Sequence, residues 1–142
     1  MTRVDDIINT SGHRISTGRL EEVINDHDDV VESAVVGYND EIRGECPIAY
    51  VVLKNGLENL SATDYDKLKK EINGKVREDV GAFCRLEGVI FIQKLPKTRS
   101  GKILRGTIRK ITNNEEFKIP ATIDDPSALD LIKSERDKLF SN

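Results

Sequence analysis

Short strand-like runs are intermixed with helical patterns along this 142-residue chain, without repeated strand–helix–strand units. That mixture predicts an α+β fold: a small sheet flanked by helices, with a hairpin at the N-terminus. Two patterns carry the prediction. Ser33–Gly37 and Cys46–Lys54 are rich in Val, Ile and Tyr, as strands are. Tyr65, Leu68, Ile72, Val76 and Val80 recur every three or four residues, as on one face of a helix. The length suits one ordinary domain.

Taken in order, Asp6 to Ile15 forms two apolar–polar runs around Thr10-Ser11-Gly12, a hairpin with Gly12 supplying the turn. Thr17 caps a helix with Leu20, Val23 and Ile24 on its apolar face. Its Glu21 and Glu22 suit the positive helix end, and it runs out near Asn25-Asp26-His27-Asp28. Tyr38 to Glu45 reads as a polar connection between the two strands. Ser61-Ala62-Thr63-Asp64 caps the long helix, which Gly74 weakens without necessarily breaking. Val89 to Gln93 is a further strand, ended by Leu95-Pro96, and a helix follows with Ile103, Leu104, Ile108 and Ile111 on its buried side. From Thr112 the chain turns polar. Asn113-Asn114-Glu115-Glu116 and Pro120 read as a linker, and Asp124-Asp125-Pro126 starts a peripheral helix over Ala128–Phe140.

Composition excludes several classes. A net charge of −3 argues against coating nucleic acid by bulk charge. The longest apolar run, Ile48 to Leu53, is far short of the roughly 20 residues of a membrane span. Cys46 and Cys84 make no disulfide framework and read as small buried residues, and the first residues lack a secretory h-region. A cytoplasmic or organelle-lumen location, such as the mitochondrial matrix, is expected. His13 and His27 suggest no metal site, being far apart and without a ligand cluster.

Charge is uneven. Lys94, Lys97, Arg99, Lys102, Arg105, Arg109 and Lys110 fall in one stretch that holds no acid. A solvated basic helix face is the ordinary reading of such a run. Lys102, however, follows Ser100-Gly101 at an expected helix start, where a cation opposes the dipole. Free N–H groups beside cations there suit a phosphate or carboxylate. Gly101-Lys102 is not the end of a Walker A loop, because Pro96 and Ile103 stand where that motif needs Gly and Ser or Thr.

Pro96-Lys97-Thr98-Arg99-Ser100-Gly101-Lys102 resembles the C-terminal signature of the adenylate-forming enzymes, which include acyl-CoA synthetases, peptide-synthetase adenylation domains and luciferases. Arg3-Val4-Asp5-Asp6 and Asn9-Thr10-Ser11-Gly12-His13-Arg14-Ile15 resemble the hinge motif of that family. The Glu21-Glu22 helix and Glu41 to Pro47 fit in the expected order. Ser16 to Glu22 and Ile123-Asp124-Asp125-Pro126 are most similar to the acetyl- and propionyl-CoA synthetase branch, with Thr2 departing from the Gly of many relatives.

The resemblance implies an acid–CoA ligase that forms an acyl-adenylate from ATP and then a thioester from CoA, with a small C-terminal domain rotating between the steps. It implies Lys102 as the catalytic lysine, Asp5 as the hinge, Arg3 and Arg14 as nucleotide contacts, and Gly12 and Arg77 as CoA contacts. Residues 1–111 would be the mobile domain, with hinge and hairpin in 1–15, and 112–142 an extension packing on it. ATP with Mg2+ and CoA are cofactors of the full-length enzyme, and none is expected on this domain alone. The large AMP-binding domain, which is not part of this sequence, would be its partner. The chain is therefore expected to be a fragment inactive alone, with no nucleic-acid or membrane partner. An exposed Lys102 would also suit a lysine acetyltransferase and deacetylase. Two other readings are a free-standing module gripping RNA or another polyanion, and a regulatory interaction domain.

Overall fold

A computed structural model describes residues 7–10, 12–41, 44–57, 60–81 and 86–140. The N-terminal hairpin joins β1 (Ile7–Thr10) to β2 (His13–Ser16), with Gly12 in the left-handed region at φ +82°. Helix α1 (Thr17–Asn25) follows at once. Its cap is Ser16 rather than Thr17: Ser16 is still extended, and its hydroxyl accepts from Arg19 N at 3.3 Å. Thr17 is instead a buried residue of the first turn.

Strands β3 (Val30–Asp40) and β4 (Gly44–Leu53) pair antiparallel from Val30↔Leu53 to Asp40↔Gly44. The polar connection expected over Tyr38–Glu45 is thus mostly strand, because the ladder runs on to the Asp40↔Gly44 pair. Helix α2 (Ala62–Asp79) is capped by Ser61 and continues through Gly74. It leads to β5 (Gly88–Phe91), which runs parallel to β4 from Ile48↔Gly88 to Val51↔Phe91. Since β3 covers one edge of β4, β1 and β5 share the other, and the described strands run β2-β1-β4-β3 with β5 beside β4. Helices α3 (Arg105–Thr112) and α4 (Ser127–Phe140) are the last of the described elements.

The central strands are buried on both faces, so alternate residues feed two apolar clusters. Val35, Ala49, Val51 and Val89 meet Leu20, Val23 and Ile24 of α1 and Ile72 and Val76 of α2. Ala34, Val36, Ile48, Tyr50 and Ile90 meet Ile108 and Ile111 of α3 and Leu129 and Ile132 of α4. Truncating a fully buried member such as Ile72 to Ala costs about 2–5 kcal/mol. Within the second cluster the Thr112 hydroxyl donates to the Ile108 carbonyl, leaving its oxygen to accept from Tyr50 at 2.7 Å. Burial pushes that phenol up to about 12. Cys46 is buried, whereas Cys84 lies outside the described residues. Among the described residues, no helix is long and apolar enough to cross a membrane.

Among the described strands β3 pairs with β4 alone, and side chains seal its other edge. Val35 N donates to Glu21 Oε2 at 2.9 Å, Asn113 Nδ2 donates to the Gly37 carbonyl at 2.9 Å, and Asn39 N donates to Asn113 Oδ1 at 2.8 Å. Positions 35, 37 and 39 are the outward-facing backbone of an edge strand, which folded proteins cover. Asn113, expected in a linker, is part of this seal.

Candidate functional site

After β5 the chain makes a second, irregular hairpin. Lys97 bridges Ile103, Thr98 N donates to the Lys102 carbonyl at 2.8 Å, and Leu104 N donates to the Pro96 carbonyl at 2.9 Å. The turn closes with Gly101 N donating to the Thr98 carbonyl at 2.9 Å, Gly101 taking φ +94°. The Thr98 hydroxyl adds a bond from Lys102 N at 3.1 Å. On its outer side the hairpin pairs with the later chain: Thr98 bridges Ile123, Arg99 N donates to the Thr122 carbonyl, and Asp124 N donates to the Lys97 carbonyl.

Lys102 therefore does not open a helix. The bridge keeps the chain extended through Ile103, and α3 begins only at Arg105, behind a Leu104 that makes no side-chain cap. Ile103 and Leu104 are half-buried before the helix rather than on it. The dipole argument for an anion site at Lys102 accordingly falls away, and what replaces it is a tight exposed turn.

The acid-free basic stretch is paired with acids brought from other elements. Lys94 pairs with Asp125, Lys97 with Glu32 of β3 at 2.8 Å, Arg105 with Glu21 of α1, and Arg109 with Glu45 of β4 at 3.3 Å. Lys94, helped by the hydroxyl and amide of Ser127, holds the Asp125 carboxyl down to about 2. Among the described residues, Arg99, Lys102 and Lys110 have no ion-pair partner.

The Glu21–Arg105 pair differs from the rest in depth. The Glu21 side chain is 4% exposed and that of Arg105 21%. Arg105 Nε reaches both carboxylate oxygens, at 2.9 and 3.2 Å, while Nη2 donates to Oε1 at 2.5 Å. Removing one partner of such a pair strands the other charge, at a cost of about 3–5 kcal/mol. Glu21 was expected to serve the helix dipole. It is buried instead, and its spacing carried the signal: Thr17, Leu20, Glu21 and Ile24 stand at i, i+3, i+4 and i+7, the buried stripe of α1.

The other expected site residues lie apart from this hairpin. Gly12 and Arg14 are exposed in the β1–β2 hairpin, where Arg14 sits opposite Asn9. A Cβ at Gly12 would meet nothing within 4 Å, so the domain itself needs glycine there for its backbone angle rather than for space. Arg77 is exposed in the last turn of α2. No hydrogen bond or ion pair among the described residues joins Gly12, Arg14, Arg77 and Lys102. Arg3 and Asp5 lie outside the described residues. The His27 ring links the end of α1 to α2, with Nδ1 accepting from Asp29 N and Nε2 2.8 Å from Glu71. Among the described residues no three His, Cys, Asp or Glu side chains cluster as metal ligands.

Comparison with known proteins gives this arrangement a lineage. Over 138 residues the chain is 44% identical to the mitochondrial acyl-CoA synthetase short-chain family member B of Dictyostelium discoideum, covering 97% of this chain and 20% of that protein. It is 43% identical over 134 residues to acetyl-coenzyme A synthetase 2 of Candida albicans, covering 93% and 20%. The crystal structure of Brucella canis acyl-CoA synthetase superimposes with a TM-score of 0.67 at 36% identity, covering 78% of this chain and 19% of that one. The chain thus spans about a fifth of the length of the relatives it matches. Residues 19–102 match the family described as the AMP-binding enzyme C-terminal domain. With that match over more than half its length, the chain belongs to the AMP-binding enzyme C-terminal domain family.

Proposed function

We propose that this domain works with an N-terminal AMP-binding domain in an AMP-forming acid–CoA ligase for short-chain acids of the acetate and propionate type, and that Lys102 serves its first half-reaction. One observation carries the reading. Lys102 is exposed on a cross-linked turn and has no ion-pair partner among the described residues, while four of the other six cations in its stretch are neutralised. The same neutralisation weighs against gripping a polyanion with this stretch, since paired cations release few counterions.

In the first step an acid carboxylate attacks the α-phosphorus of Mg2+-bound ATP. A carboxylate O–P bond forms, the α–β phosphoanhydride bond breaks, and pyrophosphate leaves. The Lys102 ammonium sits between the two anions, offsets their repulsion and stabilises charge in the transition state. In the second step the CoA sulfur bonds to the acyl carbon, the acyl C–O bond to the phosphate breaks, AMP leaves, and the thiol proton passes to solvent. Gly12 and its hairpin line the thiol's path, Arg77 contacts CoA, Arg14 and Arg3 contact the nucleotide, and Asp5 is the hinge between the two orientations. The domain by itself carries no ligase activity, because the acyl and adenine pockets belong to its partner.

The test separates the two steps in a protein that joins this domain to an AMP-binding domain of its family. Lys102→Ala is expected to lower acid-dependent ATP–pyrophosphate exchange by about 10²–10³-fold. Conversion of a supplied acyl-adenylate to thioester should stay within about twofold. Gly12→Leu should do the reverse. Equal losses in both steps for Lys102→Ala would overturn its role.

A further inference from the structure

We infer that Glu21 and Arg105 are positioning residues for Lys102, acting by clamping the start of α3 to the edge of β3 away from β4. The inference rests on the assignment of Lys102 to adenylation. Among the described residues the Lys102 side chain has no hydrogen bond or ion pair, and its backbone is bonded only to Thr98 across the turn, so its position follows the two stems of its hairpin. One stem is held at Lys97, which pairs with Glu32 of β3. The other is held at Arg105, the first residue of α3 and three residues from Lys102.

The second attachment is the stiffer one. Glu21 is locked before Arg105 reaches it, because Oε2 already accepts the Val35 N–H of the β3 edge at 2.9 Å. A planar guanidinium that spans both oxygens of a locked carboxylate has one orientation open to it. The direction in which the chain arrives at Arg105 is set accordingly, and Leu104 N bonded to the Pro96 carbonyl passes that setting to the hairpin. The far end of α3 is fastened to the same strand edge through Asn113, on the Gly37 carbonyl and the Asn39 N–H. Helix α3 thus lies along β3 with a clamp at each end, and the clamp next to Lys102 is ionic, forked and closed on a buried carboxylate.

A displaced ammonium harms only the step that uses it, and a misplacement on the order of 1 Å costs roughly 100-fold. Arg105→Lys keeps the charge and removes the fork. Glu21→Gln keeps the size and an acceptor for Val35 N, and removes the charge. In the joined two-domain protein, Arg105→Lys is expected to lower kcat for ATP–pyrophosphate exchange by about 10–100-fold, with KM for ATP within about threefold. Thioester formation from supplied adenylate should stay within about twofold, and Glu21→Gln should show the same selective loss to a smaller degree. Asn113→Ala, which opens the distal clamp, is the control for simple loosening and should leave the ratio of the two half-reactions unchanged. If Arg105→Lys does not accumulate as folded protein, Glu21→Gln against Asn113→Ala carries the same comparison. Parallel loss of both half-reactions in Arg105→Lys and Glu21→Gln, or the same selective loss in Asn113→Ala, overturns the positioning role. Intact adenylation in Lys102→Ala overturns instead the assignment beneath it.

Discussion

Two turns of this domain close on a left-handed glycine, Gly12 at φ +82° and Gly101 at φ +94°, and they are fastened by different forces. The first belongs to the main sheet. Its strands pair residue by residue from Ile7↔Ser16 to Thr10↔His13, and Ile8 and Ile15, 1% and 3% exposed, sink into the core beneath. The second has, among the described residues, isolated bridges with a few backbone hydrogen bonds in place of a ladder, and Lys94–Asp125, Lys97–Glu32 and Glu21–Arg105 tie it to the rest of the fold. A turn held by a ladder is in place once its own two strands are. A turn held by charges from α1, β3 and the segment before α4 is in place only after those elements have assembled. The domain thus builds one face from local pairing and the other from the finished tertiary structure.

Variants that attack each attachment separate the two. Ile15→Ala should cost the largest amount, about 2–5 kcal/mol in urea unfolding, because it leaves a cavity under the first hairpin. A loss well under 1 kcal/mol would mean that the ladder alone holds that turn. Lys97→Met should cost less, about 0–1 kcal/mol by the same measurement, since its pair with Glu32 is partly exposed. A loss as large as that of Ile15→Ala would erase the distinction drawn between the hairpins. Acid provides the smallest perturbation. Asp125 is depressed from 3.8 to about 2, so the anchorage it gives is present above pH 4 and lost as pH falls through about 2. The amide chemical shift of Ser127, which donates to Asp125 Oδ1 at 3.0 Å, should titrate across that window in the wild type and move far less in Asp125→Asn.

The same contrast explains what could be read from the chain. The Gly12 hairpin, the Val-rich strands and the long helix rest on local periodicity and turn chemistry, so the α+β class and most of the elements were legible. The motif around Lys102 was legible as well, but its conformation was not. Lys102 was assigned to a helix start because Ile103, Leu104, Ile108 and Ile111 continue a helical spacing back to it, whereas the Lys97–Ile103 bridge overrides that spacing. The ion pairs were invisible because their acids stand at 21, 32, 45 and 125, on four separate stretches of chain. An acid-free run in sequence says nothing about which carboxylates the fold will set beside it. Glu21 could have been found, since a carboxylate within an apolar helical stripe must be paired with something.

The sealed edge of β3 has one more consequence, for solubility. An eleven-residue edge strand is a template on which another copy of the chain can add a strand of its own. Here the cover is α3 together with the carboxylate of Glu21 and the amide of Asn113, which occupy the hydrogen-bonding sites an incoming strand would take. The Glu21 carboxylate inferred to position Lys102 therefore also guards the protein against self-association, and a variant that frees the start of α3 would expose part of that edge.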